Sequence, residues 1–237
     1  MQRNLQPELM DDPSIDPAEH RRALRALDRI HRVTGTTRIV AHHVAKLTRN
    51  LPTDPPITLL DVACGGGALG IQLARRLNHS AHSTHLVGLD ASQVALDTAA
   101  EQANRHSITA RWTQGDAIAE PLPPCDVAVC ALFLHHLDEP AAVALLANMA
   151  AARLGFVLID LLRSRRGLLL AQLGTRLITA SPTVHADGPQ SVRAAFTRDE
   201  MRDLARQAGL TDDRLTITPV LSQRAVIRWA APARVSA

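Results

Sequence analysis

Hydrophobic and polar positions follow one spacing before residue 55 and another after it. In the first part, apolar residues recur every three or four positions, which predicts helices over residues 17–33 and 36–49. The proline-rich segment 51–56 then separates these helices from the rest of the chain. We therefore expect residues 1–54 to form a helical cap on a second region, residues 55–237.

From residue 57 onward, short apolar runs alternate with longer segments of helical periodicity. This alternation predicts an α/β fold with a parallel sheet covered by helices on both faces, and the last two runs predict a hairpin that turns at Leu221–Ser222. The predicted strands are Thr58–Val62, His85–Leu89, Thr109–Thr113, Val127–Leu132, Phe156–Leu161, Arg214–Val220 and Gln223–Trp229. The predicted helices are Ala68–Leu77, Ser92–His106, Glu139–Ala152, Ser164–Thr179 and one that Thr197 caps and Gly209 ends. The polar segment Ser181–Ser191 is predicted to be a loop.

A glycine-rich turn follows the first predicted strand. Residues 61–67 read Asp-Val-Ala-Cys-Gly-Gly-Gly and lead directly into a predicted helix. Glycines at such a turn let a ligand approach the backbone, and the helix N-terminus offers free N–H groups. Gly65, Gly67 and Gly70 fit the GxGxxG pattern. Asp90 ends the second strand, where a carboxylate accepts hydrogen bonds from ribose hydroxyls. These features fit either NAD or S-adenosylmethionine.

Two further carboxylates favour the cationic cofactor. Asp61 lies directly before the glycine loop, where it would attract an ammonium or sulfonium and repel a pyrophosphate. Asp116 follows the third strand, where it could accept a hydrogen bond from an adenine amino group. A chain of 237 residues also leaves little room for the substrate domain of a dehydrogenase. S-Adenosylmethionine is therefore the predicted cofactor. A short NAD-dependent oxidoreductase is the weaker alternative, because the chain has no tyrosine for a Tyr-x-x-x-Lys pair.

Composition argues against a nucleic-acid-binding protein and against a metal or disulfide framework. Hydrophobic residues make up 46% of the chain, which is ample for a core, whereas aromatic residues make up 2%, too few for a base-stacking surface. All but one of the basic residues are arginines, which indicates compositional bias. The three cysteines, Cys64, Cys125 and Cys130, lack metal-ligand spacing, so no metal is predicted. Neither a signal peptide nor a long apolar run is evident, so we expect a soluble, cytoplasmic protein.

The motifs together resemble those of class I S-adenosylmethionine-dependent methyltransferases over roughly residues 57–230. Two segments are most similar to the ubiquinone/menaquinone methyltransferase-like group: the loop 61–67 and the segment 133–137, Phe-Leu-His-His-Leu. The resemblance implies a Rossmann-like seven-stranded sheet in the order 3-2-1-4-5-7-6, with strand seven antiparallel. Ala63 replaces the first glycine of the common loop, which implies a slightly different turn.

The resemblance also assigns the contacts of the cofactor. It places Asp61 near the methionine ammonium, with Gly65 and Gly67 under the methionine moiety. Asp90 is expected to hold the ribose hydroxyls and Asp116 the adenine amino group. The full set of implied cofactor residues is Asp61, Ala63, Gly65, Gly67, Asp90, Ala91, Asp116 and Ala117.

Two histidines at the end of the fourth predicted strand are the candidate catalytic residues. Methyl transfer needs the acceptor atom in line with the methyl group at ~3–3.5 Å, and a base only if the acceptor loses a proton. His135 and His136 lie where open α/β sheets bind ligands, and a neutral imidazole suits a phenol or enol. We expect at least one to face the cleft; alternatively, one caps a turn and the other packs. Nucleobase N-methyltransferases typically carry an Asn/Asp-Pro-Pro loop here, which this chain lacks.

Three other side chains are candidates for the acceptor pocket. Asp160 ends the fifth strand and either positions the substrate or caps the next helix. Arg163 belongs to a basic, leucine-containing segment that could hold an acidic substrate or make peripheral contact with anionic lipid, unless it is a solvated helix face. His185 lies in the predicted polar loop, where acceptor specificity often resides in this fold; a solvated turn is the alternative.

We therefore predict a methyltransferase that acts on oxygen or carbon of a small apolar phenolic, enolic or quinol-type acceptor. The helices of the cap are expected to cover the acceptor. The N-terminal helices and residues 187–197 resemble bacterial methyltransferases that accompany type III polyketide synthases, so polyketide or quinone secondary metabolism is the expected context. The alternatives are a non-catalytic S-adenosylmethionine-binding protein and an RNA methyltransferase.

Overall fold

The computed structural model describes residues 1–12, 14–52, 54–80, 83–220 and 223–232. Its α-helices are α1 (Pro17–Val33), α2 (Thr36–Thr48), α3 (Ala68–Ser80), α4 (Gln93–Arg105), α5 (Glu139–Met149), α6 (Arg165–Ile178), α7 (Pro182–Ala194) and α8 (Arg198–Gln207). Its strands are β1 (Ile57–Val62), β2 (Thr84–Asp90), β3 (Ala110–Gln114), β4 (Val127–Ala131), β5 (Gly155–Leu161), β6 (Leu215–Val220) and β7 (Arg224–Ala230). The strands lie within one or two residues of their predicted positions.

The strands of the described residues form one sheet in the order β3-β2-β1-β4-β5-β7-β6. Strands β1 to β5 run parallel, and β7 pairs antiparallel with both β5 and β6. The predicted α/β class and strand order are confirmed. The predicted hairpin is also present, since Val220 pairs with Arg224, although its expected turn at Leu221–Ser222 lies outside the described residues.

The sheet separates two hydrophobic cores, because successive residues of a strand point to opposite faces. In β1, Leu60 and Val62 belong to the core beneath α5 and α8, whereas Ile57 and Leu59 belong to the core beneath α2 and α3. Both sets are buried, which explains the continuous apolar runs in the sequence. Because β1 to β5 run parallel, their carboxyl ends meet at one edge of the sheet, where polar side chains gather.

The two N-terminal helices have different surroundings. Val40 and Val44 of α2 are fully buried in the core shared with the sheet. Helix α1 contacts α4, α6 and α7 and lies over the carboxyl edge of the sheet. Asp16 caps α1 by accepting hydrogen bonds from the N–H groups of Ala18 and Glu19. The proposed domain boundary at residue 54 stays a prediction.

The segment Ser181–Ser191 forms helix α7 and not the predicted loop. Ser181 caps this helix by accepting a hydrogen bond from the Val184 N–H. Gly188 lies against α6, where an added Cβ would come within 2.7 Å of Thr175 Cγ2. Gly188 thus allows two helices to approach closely, and Pro189 is accommodated inside the helix.

No helix among the described residues is long and apolar enough to cross a membrane.

Candidate cofactor and acceptor site

A cavity of about 620 Å³ opens at the carboxyl edge of the sheet. One half of its wall is the glycine loop together with the ends of β2 and β3. The other half is the turn after β4 together with α1 and the segment that precedes α1. The cavity lies between β1 and β4, where the strand order reverses, which is the usual ligand site of an open α/β sheet.

The glycine loop bends sharply beneath this cavity. Ala63 and Gly65 both adopt left-handed backbone conformations, each with φ of 51°. This conformation favours glycine, so Ala63 carries strain that the usual glycine would avoid. The Gly65 N–H donates to Asp90 Oδ2 at 2.8 Å, and the Cys64 N–H donates to the Leu89 carbonyl at 3.0 Å. These bonds tie the loop to the end of β2.

The three consecutive glycines have different surroundings. Gly65 and Gly66 line the cavity, as a cradle for a ligand requires. Gly67 is not among the residues of the cavity wall. A Cβ at this position would lie 2.8 Å from Ala99 Cβ and 2.9 Å from Trp112 Cη2, so Gly67 packs against α4 and β3. Gly67 thus has a packing role, and its predicted contact with the methionine moiety stays a prediction.

Asp61 is the buried carboxyl group at the floor of the cofactor half. It is 2% exposed, and its Oδ2 accepts a hydrogen bond from the Gly70 N–H at 2.8 Å. Burial raises the pKa of Asp61 to about 8; the Gly70 bond opposes the rise, and the Asp90 charge adds to it. A cationic ligand at this end of the cavity would favour the ionised carboxylate.

The ends of β2 and β3 supply the other two carboxylates. Asp90 Oδ1 accepts from the Ser92 N–H at 2.9 Å, and Asp116 Oδ1 accepts from the Ile118 N–H at 2.8 Å. Both side chains line the cavity beside Ala91 and Ala117. Apart from Gly67, the predicted cofactor residues thus share one wall. Three carboxylates and an exposed glycine backbone fit S-adenosylmethionine, which carries an ammonium, a ribose and an adenine amino group.

Comparison with known proteins agrees with this geometry. A family model described as a methyltransferase domain matches residues 59–153. The chain thus carries a methyltransferase domain over these residues and resembles the class I S-adenosylmethionine-dependent methyltransferases. The ubiquinone biosynthesis O-methyltransferase of Hahella chejuensis is 27% identical over 166 residues, which cover 66% of this chain and 67% of that protein. Matches to three further proteins of the same name span 60–64% of their lengths.

Solved methyltransferase structures share the fold of this chain at low sequence identity. The plantazolicin methyltransferase BpumL, in complex with S-adenosylhomocysteine, superposes with a TM-score of 0.66 at 14% identity, covering 94% of this chain and 92% of that chain. The O-methyltransferase family 2 protein of Planctomyces limnophilus, in complex with apigenin, gives a TM-score of 0.60 at 18% identity, covering 93% and 63%. S-Adenosylmethionine is the cofactor of this family.

The two candidate catalytic histidines lie in a short 3-10 turn and not on strand β4. Strand β4 ends at Ala131, and the turn spans Leu134–His136. His136 lines the cavity and stacks on Phe133 with 6.0 Å between ring centroids. His135 is 3% exposed and is not among the residues of the cavity wall.

His135 is held between two carboxylates. Its Nδ1 lies 2.6 Å from Asp160 Oδ1, and its Nε2 lies 3.5 Å from Glu8 Oε1. Burial alone favours the neutral imidazole, but Asp160 and Glu8 outweigh burial and raise the pKa of His135 to about 10. A histidine that stays protonated is unsuited to act as a base. His135 and Asp160 form a buried ion pair, and neither is among the residues of the cavity wall, so their catalytic and substrate roles stay predictions.

A metal ion is another cation that this cluster could take. Ligand atoms of Glu8, His135 and His136 lie within 4.8 Å of one another. The positive charge of His135 already balances Asp160 across a short contact. The absence of a metal therefore stays a prediction.

The remaining two candidate substrate residues lie outside the cavity wall. Arg163 pairs with Glu200 of α8 at 2.5 Å and donates to the Ala195 carbonyl at 3.0 Å. His185 Nε2 lies 2.7 Å from the Thr179 carbonyl oxygen, just before its own helix. These contacts stabilise the packing of α6, α7 and α8, and the substrate roles of both residues stay predictions.

Sequence reasoning missed the segment before α1, which brings Glu8 to the histidines. Arg3 anchors this segment by donating to the carbonyls of Ala194 and Leu137, each at 2.6 Å, and its guanidinium lies 3.7 Å from the Phe196 ring centroid. Glu8 is 7% exposed and accepts a hydrogen bond from Ser191 Oγ. No local pattern marks these residues in the sequence, because their partners lie at the far end of the chain.

Proposed function

We propose that this methyltransferase methylates a hydroxyl oxygen of a small, mostly apolar ring compound of phenolic, enolic or quinol type. The observation that carries the proposal is the composition of the cavity. Its cofactor half carries three carboxylates. Its other half is walled mainly by apolar residues such as Ile15, Leu24, Leu27 and Phe133, and the same wall also contains Asp12, His20, Asp28 and His136. A flat apolar molecule with one reactive hydroxyl suits this arrangement.

The relatives favour the same class of acceptor. Four of them are named ubiquinone biosynthesis O-methyltransferases, and one structural neighbour was solved with apigenin, a polyphenol. By analogy, we propose quinone or polyketide secondary metabolism as the context and the cytoplasm as the location. We propose no nucleic-acid partner, because the cavity is walled on one side by α1.

Bound S-adenosylmethionine supplies an electrophilic methyl group. The chain contributes position, exclusion of water and a proton acceptor. The glycine loop and the three carboxylates hold the cofactor, and α1 covers the acceptor. Correct orientation of two reactants supplies ~7–11 kcal/mol of the barrier. In our proposal, the imidazole of His136 takes the proton of the acceptor hydroxyl as its oxygen becomes the nucleophile.

Replacement of His136 by asparagine tests this assignment. His136→Asn should lower kcat by about 10²–10⁴-fold, because a positioned base contributes that much. S-Adenosylhomocysteine affinity, measured by calorimetry, should stay unchanged. The matched control is His185→Asn, which removes a histidine outside the cavity and should keep normal kcat.

The assay follows labelled methyl transfer to a panel of phenols, naphthols and quinols. Normal kcat in His136→Asn would remove the base and favour methylation of an already activated carbon. Cofactor binding without turnover of any panel member would contradict the proposed function and favour a non-catalytic binding protein.

A further inference from the structure

His31 is a buried polar residue in the half of the cavity that α1 walls. It lies near the C-terminal end of α1, lines the cavity together with Leu24 and Leu27, and is 9% exposed. Its Nδ1 is buried and has no hydrogen-bond partner among the described residues. Buried polar atoms are nearly always paired, so an unpaired one in a ligand cavity indicates a partner that comes from outside the chain.

The ring of His31 is neutral at physiological pH. Burial lowers its pKa to about 4, and the nearby Arg224 guanidinium contributes to the decrease. Arg224 is held in place, because its Nη1 donates to Thr34 Oγ1 at 2.7 Å and to Thr36 Oγ1 at 2.6 Å. A neutral imidazole offers one donor and one acceptor, and it can therefore bind a hydroxyl or a carbonyl group.

We propose that His31 recognises a second polar group on the methyl acceptor. The inference rests on the proposed function: one hydroxyl of the ring compound lies at His136, and another hydroxyl or carbonyl forms a hydrogen bond with His31. The acceptor class is thereby narrowed to ring compounds with two oxygen substituents. His31 is a specificity residue that selects among acceptors and leaves cofactor binding to the opposite wall.

The chain contains a matched control for this role. His43 of α2 is 7% exposed, has a buried Nδ1 without a partner among the described residues, and has a pKa lowered to about 4, chiefly by burial. It differs from His31 in position, because it is not among the residues of the cavity wall. The two histidines thus share burial and charge state, and only His31 is placed to meet an acceptor.

The experiment compares His31→Leu with His43→Leu in thermal unfolding and in acceptor kinetics. Each substitution removes a buried polar atom without a partner, so each should raise Tm by roughly 2–4 °C. His31→Leu should also raise the KM for 1,3-dihydroxynaphthalene about tenfold and abolish the preference for this diol over 1-naphthol. His43→Leu should keep the wild-type preference, and His31→Gln, which retains a hydrogen-bonding group, should keep part of it.

A fall of Tm in His31→Leu would overturn the inference, because it would show that the ring supports the fold. A preserved preference for the diol in His31→Leu would overturn it as well. These results are distinct from failure of the proposed function, which appears as absence of methyl transfer to either naphthol in the wild type. In that case a fall of Tm in His31→Leu would still overturn the inference.

Discussion

Two buried carboxyl groups at the carboxyl edge of the sheet have opposite electrostatic environments. Asp61 lies near the end of β1, and Asp160 lies near the end of β5. The two residues are 2% and 0% exposed, respectively. Asp160 lies 2.6 Å from the His135 ring and accepts from the His135 N–H at 3.1 Å. Burial would raise the pKa of Asp160, but His135 outweighs burial and lowers it. Asp61 has a backbone N–H as its partner, and burial raises its pKa to about 8.

The contrast shows how to distinguish a structural carboxylate from a functional one. Burial removes the water that would solvate the charge of each carboxylate, which disfavours the ionised form. For Asp160, a cation within the chain compensates for the lost solvation, so its charge stabilises the fold. Asp61 has no such cation within the described residues, and it lies in the cavity wall. A cationic ligand that binds there would supply the positive charge that Asp61 lacks. Carboxyl groups with perturbed pKa values in a cleft are characteristic of functional sites.

The largest expected effect is the loss of His135. His135→Leu would leave Asp160 buried without its cation, and the free energy of unfolding at pH 7 should fall by about 3–5 kcal/mol. Denaturant titration measures this change, and the double variant His135→Leu/Asp160→Leu should recover much of the loss. In the wild type, the contribution of His135 is complete below its unfolded pKa near 6.5 and is lost as the pH rises through about 10. A loss below ~1 kcal/mol, as for a surface ion pair, would contradict the comparison.

The next effect concerns cofactor affinity and pH. We propose that Asp61 must be ionised to pair with the ligand ammonium, whereas below its pKa of about 8 it is mostly protonated in the free protein. Binding should therefore release a proton, and S-adenosylhomocysteine affinity should rise about tenfold per pH unit between pH 5 and 7. Calorimetry at several pH values, in buffers of different ionisation enthalpy, measures both quantities. Asp61→Asn should bind more weakly with a flat profile; a flat wild-type profile would contradict the assignment.

The smallest effect is the stability of Asp61→Asn itself. The folded pKa of Asp61 lies above its unfolded value near 3.9, so the wild type loses stability as the pH rises from about 4 to 8 and changes little above. Asparagine keeps the acceptor for the Gly70 N–H and removes the titration. The variant should gain about 1–3 kcal/mol in unfolding free energy at pH 8 and little at pH 4. Asp160→Asn is the matched control and should lose stability at pH 8. A loss in both variants would show that the two carboxylates are equivalent.

The alternation of apolar runs and helical segments was sufficient to predict the sheet, because each strand is buried on both faces and each helix on one. The strand ends then placed Asp61, Asp90 and Asp116 at a common edge, since the carboxyl ends of parallel strands meet there. This part of the site is local in origin: a residue that ends a strand has its position set by that strand.

Tertiary packing decided the rest. Asp160 also ends a strand, and only its contact with His135 shows that it is structural. Glu8 and His31 reach their places because α1 and the segment before it fold back across the sheet edge. Helix α7 was mistaken for a loop because Gly188 serves its contact with α6. The local sequence pattern determines backbone conformation. The pairing of buried polar groups depends on which distant segments pack together, and the energy of that packing is not encoded in any single segment.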